Sequence, residues 1–348
     1  MGRMNVSVIR YLESQDFRVL IAIEMGMRNH ELVPLQLIAA TAKINRGAVT
    51  RILVDLAKHS AVAHERGKSY DGYRLTTLGY DILALKTLSN REVIGSVGNQ
   101  IGVGKESDIY LAGDSDHNVM LKFHRLGRTS FRKLKEKRDY HKKRKSCSWL
   151  YLSSLAAAKE FAYLKALYAH DFPLPRPIDR CRHLVVMDLI VGTTLCHVQH
   201  VSDAEELYEK LMAIIVRLAR YGLIHGDFNE FNIMLIKVTI WGRTNFDRST
   251  HGSYKCKNVF RKRCELFNYE SELYPKFEEM KRKHNLDVEV RASGFTSRMA
   301  KDFIRVNISA EAKLKDKVPL RVKGKASAAV RQKKTNADII KEFAIWDF

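Results

Sequence analysis

Cysteine is scarce and scattered, with 5 residues in a chain of 348 and no C-x-x-C pair. An odd count without spaced pairs excludes a disulfide-built framework and points to reduced thiols in a cytosolic or nuclear compartment. The run Cys196-His197-Val198-Gln199-His200 has no second ligand pair at zinc-finger spacing, so a structural or surface role is expected for it. Long apolar runs are absent too, as are a secretory leader and a lipidation pattern, since Val6 stands where a myristoylation motif needs Ser or Thr. These shortages argue against a membrane partner. Acidic residues are the remaining shortage. Asp and Glu number 39 against 60 Lys and Arg, for a formal net charge of +21. Such a balance favours a polyanion through counterion release and makes that binding salt-sensitive. RNA or a ribonucleoprotein is the natural partner, with acidic membrane as the alternative. A hydrophobic content of 45% suffices for about two domains and a tail.

Helical periodicity runs through Phe17 to Met27, Pro34 to Ala42 and Arg46 to His59. Ala61 to Glu65 and Gly72 to Thr76 then alternate like a two-stranded hairpin around Arg66-Gly67-Lys68. Three helices and a hairpin give a winged-helix order, with a further helix, Thr77 to Leu88, leading onward. Lys43, Arg46, Arg51, Arg66 and Lys68 are candidate phosphate contacts on this module. Docking to a protein is the alternative.

The segment His225-Gly226-Asp227-Phe228-Asn229-Glu230-Phe231-Asn232 places an Asp and an Asn in the H-x-D-x-x-x-x-N spacing of a phosphoryl-transfer loop. Asp227 is the candidate catalytic base and Asn232 the candidate ligand for magnesium bridging ATP phosphates. An amphipathic helix from Leu207 to Leu218 precedes the loop. Leu223-Ile224 is expected as a short buried strand feeding it, and Ile233 to Ile236 as a strand leaving it.

Upstream, Gly102 and Gly104 lie in Ile101-Gly102-Val103-Gly104-Lys105-Glu106-Ser107, a strand-turn-strand pattern that lets backbone approach phosphate oxygens. Lys105 and Ser107 are candidate phosphate contacts. Lys122 interrupts the apolar strand Val119 to Phe123; a solvated edge position is the plainer reading, and pairing with the α- and β-phosphates is the functional one. Glu160, near the apolar face of the helix Ser153 to Tyr168, is its candidate carboxylate partner. Singly, Glu160 reads as one more exposed helix Glu, but Gly-rich turn, strand Lys, helix Glu and H-x-D loop together follow an order that is hard to obtain by accident and fits kinase-type phosphotransfer.

These residues resemble the RIO-type atypical protein kinases, most closely the subfamily with an N-terminal winged helix (Rio kinase two). The likeness rests on Gly102 to Asp108, Leu126 to Arg132, Ser148 to Leu152, Lys159 to Tyr163 and His225 to Asn232. It implies an α+β architecture, a winged-helix domain over residues 1–90 followed by a bilobal, truncated protein-kinase-like domain over 91–295. By resemblance Lys122 is the ATP lysine, Glu160 its ion-pair partner, and Met187 to Ile190 the hinge that meets adenine. Residues 128–145, dense in Arg, Lys and His, match the family's flexible loop near ATP, where Ser130, Ser146 and Ser148 are available hydroxyls. A solvated charged loop is the plainer alternative. Residues 296–348 are expected to be a basic, mostly disordered tail ending in a short helix, Ala337 to Trp346.

One departure stands out. Family members follow the catalytic loop with a β-hairpin and an Asp-Phe-Pro-Gln motif whose Asp binds magnesium and carries the phospho-aspartate intermediate. Here Leu235 to Arg243 has neither hairpin turn residues nor that Asp, so metal binding over 236–253 is expected to be weak. Either a segment has been dropped from the reading frame or the chain has lost catalysis. The resemblance implies a serine/threonine kinase or ATPase using ATP and Mg2+ in cytoplasmic maturation of the pre-40S particle, with passage through the nucleus. A catalytically impaired ribosome-assembly adaptor and a small-molecule phosphotransferase are the alternatives.

Overall fold

The computed structural model of the chain describes residues 6–67, 70–113, 117–128, 148–201, 203–236, 239–242, 281–292 and 321–322. Lys68 of the wing, the basic loop 129–147, the segment 243–280 and the C-terminal helix expected at 337–346 lie outside the described residues. The chain divides into two compact units. Residues 1–158, 178–187 and 297–324 make the first, and 159–177, 188–296 and 325–348 the second.

The first unit begins with three helices, α1 (Ser14–Gly26), α2 (Leu35–Ala42) and α3 (Arg46–Lys58). Asn45 starts α3 by accepting from Gly47 N at 2.9 Å, which satisfies one of the donors that every helix leaves open at its first turn. The wing follows as β1 (Val62–Arg66) and β2 (Asp71–Leu75), antiparallel with Val62 opposite Leu75 and Arg66 opposite Asp71. Helix α4 (Thr77–Asn90) is capped by Thr76 Oγ1, which accepts from Gly79 N at 3.1 Å. This is the winged-helix order expected from periodicity.

A sheet then forms from β3 (Ser96–Val103), β4 (Ser107–Gly113), β5 (Asn118–His124), β6 (Pro177–Cys181) and β7 (Leu184–Asp188). Together with a distant strand, β11 (Arg321–Val322), its order is β11-β3-β4-β5-β7-β6. Arg321–Val322 pairs in parallel with Ser96–Val97. Part of the segment expected to be an unstructured tail therefore adds an edge, because β3 otherwise leaves a row of backbone groups unpaired. Leu20, Ile38, Leu53 and Leu85 of the winged helix and Leu121, Phe123 and Val186 of the sheet belong to one continuous apolar core. Burying side chains such as Leu121 and Phe123 completely contributes roughly 2 kcal/mol each.

The long helix α5 (Trp149–Ala169) starts four residues before the expected Ser153, with Ser148 Oγ accepting from Tyr151 N at 3.2 Å. The division between the two units falls within it, after Ala158. In the second unit lie β8 (Thr193–Thr194), α6 (Ala204–Arg220), β9 (Ile233–Ile236), β10 (Thr239–Gly242) and α7 (Leu286–Ala292). Asp203 caps α6 by accepting from Glu206 N at 2.8 Å.

Two expectations are corrected here. Leu223-Ile224 is not a strand. Gly222, at φ +75°, turns the end of α6 into a Schellman closure: Gly222 N donates to Ala219 O at 2.9 Å and Leu223 N to Leu218 O at 2.9 Å. The backbone donor that a strand would have used is spent on the helix end. Conversely, a hairpin does form after the loop, since β9 and β10 pair antiparallel with Ile236 opposite Thr239 and Ile233 opposite Gly242. The apolar, β-branched character of Ile233, Ile236, Thr239 and Ile240 favours pairing even without Asn or Gly at the turn.

Candidate active site

In the second unit the His225 to Asn232 loop is fixed at both ends by apolar anchors. Phe228 and Ile233 are buried with Leu195, Leu207 and Leu211, the last two on one face of α6. Gly226, at φ +65°, makes the turn before Asp227, with Asp227 N donating to His225 O at 2.6 Å. That is a γ-turn, which side-chain-bearing residues adopt only under strain.

The loop brings Asp227 and Asn232 together. Asn232 Nδ2 donates to Asp227 Oδ2 at 2.8 Å and to Asp227 O at 2.8 Å. Because the amide nitrogen faces two oxygens, the orientation of the amide is determined, and its oxygen Oδ1 has no hydrogen-bond donor among the described residues. Asn229 was not singled out from the sequence, yet its Nδ2 donates to Asp227 Oδ1 at 2.8 Å. Its own oxygen accepts from Phe231 N at 3.2 Å, an Asx turn that holds it in place. Asp227 is exposed and its carboxylate is held from both sides, an arrangement that can offer fixed lone pairs to an approaching hydroxyl. The Asn-x-Phe spacing at 229–231 was the available signal, masked by the ordinary abundance of Asn in turns.

Fit to magnesium is partial. The loop supplies Asn232 Oδ1 and the Asp227 carboxylate, but among the described residues no group of three or more His, Cys, Asp or Glu gathers to hold a metal. Neither Ile233–Ile236 nor Thr239–Gly242 contains a carboxylate. A bound magnesium would therefore depend on nucleotide phosphate oxygens for much of its charge compensation.

In the first unit, Gly102, Gly104, Lys105, Ser107 and Lys122 share the hairpin of β3, β4 and β5. Gly104 N donates to Ser107 O at 2.7 Å and closes the turn. Irregular register between Gln100 and Gly102 places a bulge just before it. A Cβ on Gly102 would meet only Ile109 Cβ, at 4.0 Å, so the protein's own packing does not demand glycine there. Lys105 is exposed at the tip, while Lys122 is half-buried opposite Ile109 in β5.

Glu160 lies half-buried on the second-unit part of α5, and Met187 and Ile190 flank the point where the chain passes from one unit to the other. Met187 is buried and Ile190 half-buried, and the neighbouring Asp188 N donates to Arg176 O at 3.0 Å. In the Cys196 to His200 run, Thr194 Oγ1 lies 2.6 Å from His197 Nδ1.

Comparison with known proteins agrees with this architecture. A model of the RIO domain matches residues 108–241, and a model of the Rio2 N-terminal domain matches residues 9–91. The serine/threonine-protein kinase RIO2 of Caenorhabditis elegans is 61% identical over 314 residues, covering 87% of this chain and 59% of that protein. Its Schizosaccharomyces pombe counterpart is 46% identical over 315 residues, covering 87% of this chain and 91% of that protein. A crystal structure of the Rio2 kinase-ADP/Mg2+-phosphoaspartate complex from Chaetomium thermophilum superposes with a TM-score of 0.75 at 39% identity, covering 90% of this chain and 100% of that one. The chain spans 59% of the length of the Caenorhabditis elegans and Dictyostelium discoideum relatives. With both domain models in sequence order and relatives this similar along nearly the whole chain, the protein belongs to the Rio2 kinases, the RIO family members that carry an N-terminal winged-helix domain.

Proposed function

We propose that this chain is an ATP- and magnesium-dependent serine/threonine kinase or ATPase of the RIO type, acting on a small-ribosomal-subunit precursor in the cytoplasm, with passage through the nucleus. The observation that carries the catalytic part is the double hold on Asp227 by Asn229 and Asn232, each at 2.8 Å. A carboxylate fixed in this way accepts the proton of an attacking hydroxyl or water without first having to be ordered. By family resemblance Lys122 is the lysine that supplies positive charge to the phosphates and Glu160 its carboxylate partner, while the 104–107 turn covers the phosphates. Met187 and Ile190 border the adenine. Magnesium, when bound, supplies charge neutralisation at the phosphates, with Asn232 Oδ1 as its protein ligand. The Chaetomium relative in complex with ADP and Mg2+ supports this nucleotide assignment. The ribosomal assignment rests on family resemblance and on the net charge of +21, which suits an RNA-rich particle met through the winged helix and the basic loop.

A second reading is favoured by the carboxylate-free hairpin Ile233–Ile236 and Thr239–Gly242: a nucleotide-binding assembly adaptor that turns over slowly or not at all. Magnesium-dependent ATP hydrolysis by the chain and by Asp227→Ala separates the two. Turnover abolished by the substitution establishes the enzyme. No turnover, with co-sedimentation on small-subunit precursors intact, establishes the adaptor.

A further inference from the structure

Four charged side chains of the first unit form a connected network that ends on the glycine turn. Arg128 NH1 donates to Gly104 O at 2.8 Å, and its NH2 donates to Asp108 Oδ2 at 2.6 Å. Arg125 Nε donates to the same Asp108 oxygen at 2.9 Å. The far edge of Arg125 makes a fork onto Asp81 of α4, NH1 to Oδ1 at 2.6 Å and NH2 to Oδ2 at 2.8 Å. Arg125 N also donates to Glu106 O, inside the turn, at 2.6 Å. Asp81, Asp108 and Arg125 are 2%, 5% and 7% exposed, so this is an interior network of two carboxylates and two guanidiniums whose formal charges cancel. Cancellation is required, because an unpaired charge at such depth costs several kcal/mol.

The network acts on the turn through one peptide group. A trans peptide points its C=O and its following N–H in opposite directions. With Gly104 O drawn to Arg128, the Lys105 N–H is directed to the other side, and it has no hydrogen-bond partner among the described residues. Backbone N–H groups held in a turn in this way form a site for phosphate oxygens.

We propose that Arg128, seated on Asp108, is a positioning residue for phosphate binding, and that Asp81 of the winged-helix module fixes its place through Arg125. The proposal rests on the reading that the 104–107 turn meets the phosphates of a nucleotide. It gives the N-terminal module a direct influence on nucleotide affinity: whatever displaces α4 displaces Asp81, and with it the Gly104 carbonyl.

The test compares the dissociation constants of ATP with magnesium and of adenosine, by calorimetry on the full chain, for the unmodified protein, Arg128→Ala and Asp81→Asn. Melting curves of the same preparations establish that each variant is folded. Arg128 is 21% exposed at its side chain, so Arg128→Ala keeps the fold even where the buried Asp81→Asn does not, and it then decides alone. Losing one charge-assisted bond weakens ATP about tenfold and leaves adenosine within about twofold, since adenosine has no phosphates. A folded Asp81→Asn shifts ATP in the same sense. Equal weakening of both ligands in Arg128→Ala, or no change in ATP, overturns the proposal. If instead the unmodified chain binds ATP no more tightly than adenosine, the phosphate reading of the turn fails, and this inference with it.

Discussion

Arg182 and Glu24 meet in a two-pronged ion pair although 158 positions separate them: Arg182 Nε to Glu24 Oε1 at 2.9 Å and NH2 to Oε2 at 2.8 Å. Arg182 sits at φ +52° in the turn between β6 and β7, and Glu24 is on α1 of the winged helix. The third nitrogen, NH1, donates to Leu83 O at 2.9 Å and to Thr87 Oγ1 at 2.8 Å, both on α4. One guanidinium thus joins the sheet to two helices of the N-terminal module, at 4% side-chain exposure. Glu24→Ala leaves that cation buried without its carboxylate and is expected to cost roughly 3 kcal/mol. Chemical denaturation checks this, and a loss below about 1 kcal/mol would show that solvent reaches the pair.

His183, next in the same turn, gives the unit a pH dependence. Burial pushes its imidazole down to about 4, against the pull of the Asp81 carboxylate 2.7 Å away, with Arg125 and His124 adding to the depression. Tyr80 stacks on the ring at 4.6 Å, and the Arg125 NH1 contact at 3.2 Å is an approach to a ring nitrogen whose proton already points at Asp81. A folded-state value below the unfolded 6.5 means that the unfolded chain binds the proton first as pH falls. His183 therefore contributes fully above pH 6.5, and its contribution declines as pH drops toward 4, by an amount on the order of 3 kcal/mol. Unfolding free energies between pH 7 and 4 for the chain and for His183→Gln should differ in slope over that window. Parallel curves would refute the assignment.

Asn229 is expected to matter for rate rather than stability. Its removal in Asn229→Ala takes away the bond to Asp227 Oδ1 and opens the Asx turn to Phe231, all at half-exposed or exposed positions. If Asp227 is the base proposed above, misplacing its carboxylate by a fraction of an ångström should lower ATP turnover roughly tenfold, with the melting temperature nearly unchanged. Turnover equal to that of the unmodified chain would make Asn229 a loop residue only.

The winged helix carries Lys43, Arg46, Arg51 and Arg66 exposed to solvent. If RNA phosphates meet them, replacing all four by Ala should flatten the dependence of log affinity on log salt by roughly 0.7–0.9 per lost contact. Filter binding of ribosomal RNA fragments across a salt series measures this directly, and an unaltered slope would assign the module to protein docking.

Much of this was legible because it is local. Periodicity placed α1, α2, α3 and the wing within a few residues, and the H-x-D spacing placed Asp227 and Asn232 on one loop, since a six-residue stretch folded back by the Asn232 N to Asn229 O bond at 3.0 Å leaves little freedom. Leu223-Ile224 misled because an apolar pair has no period, and whether it becomes a strand or a helix closure depends on where its N–H groups find acceptors. Asn229 was hidden because its partner is a side chain and not a pattern.

The amino-acid order alone determined the module sequence, the glycine turn, the His225 to Asn232 loop and the absence of a carboxylate in Ile233–Ile236, because each is written in neighbouring residues. Only the tertiary structure decided that Asp81, Asp108, Arg125 and Arg128 act together and that Glu24 answers Arg182. Charges buried at that depth are tolerable only when opposite charges arrive from other elements, and that arrival depends on packing rather than on any spacing along the chain.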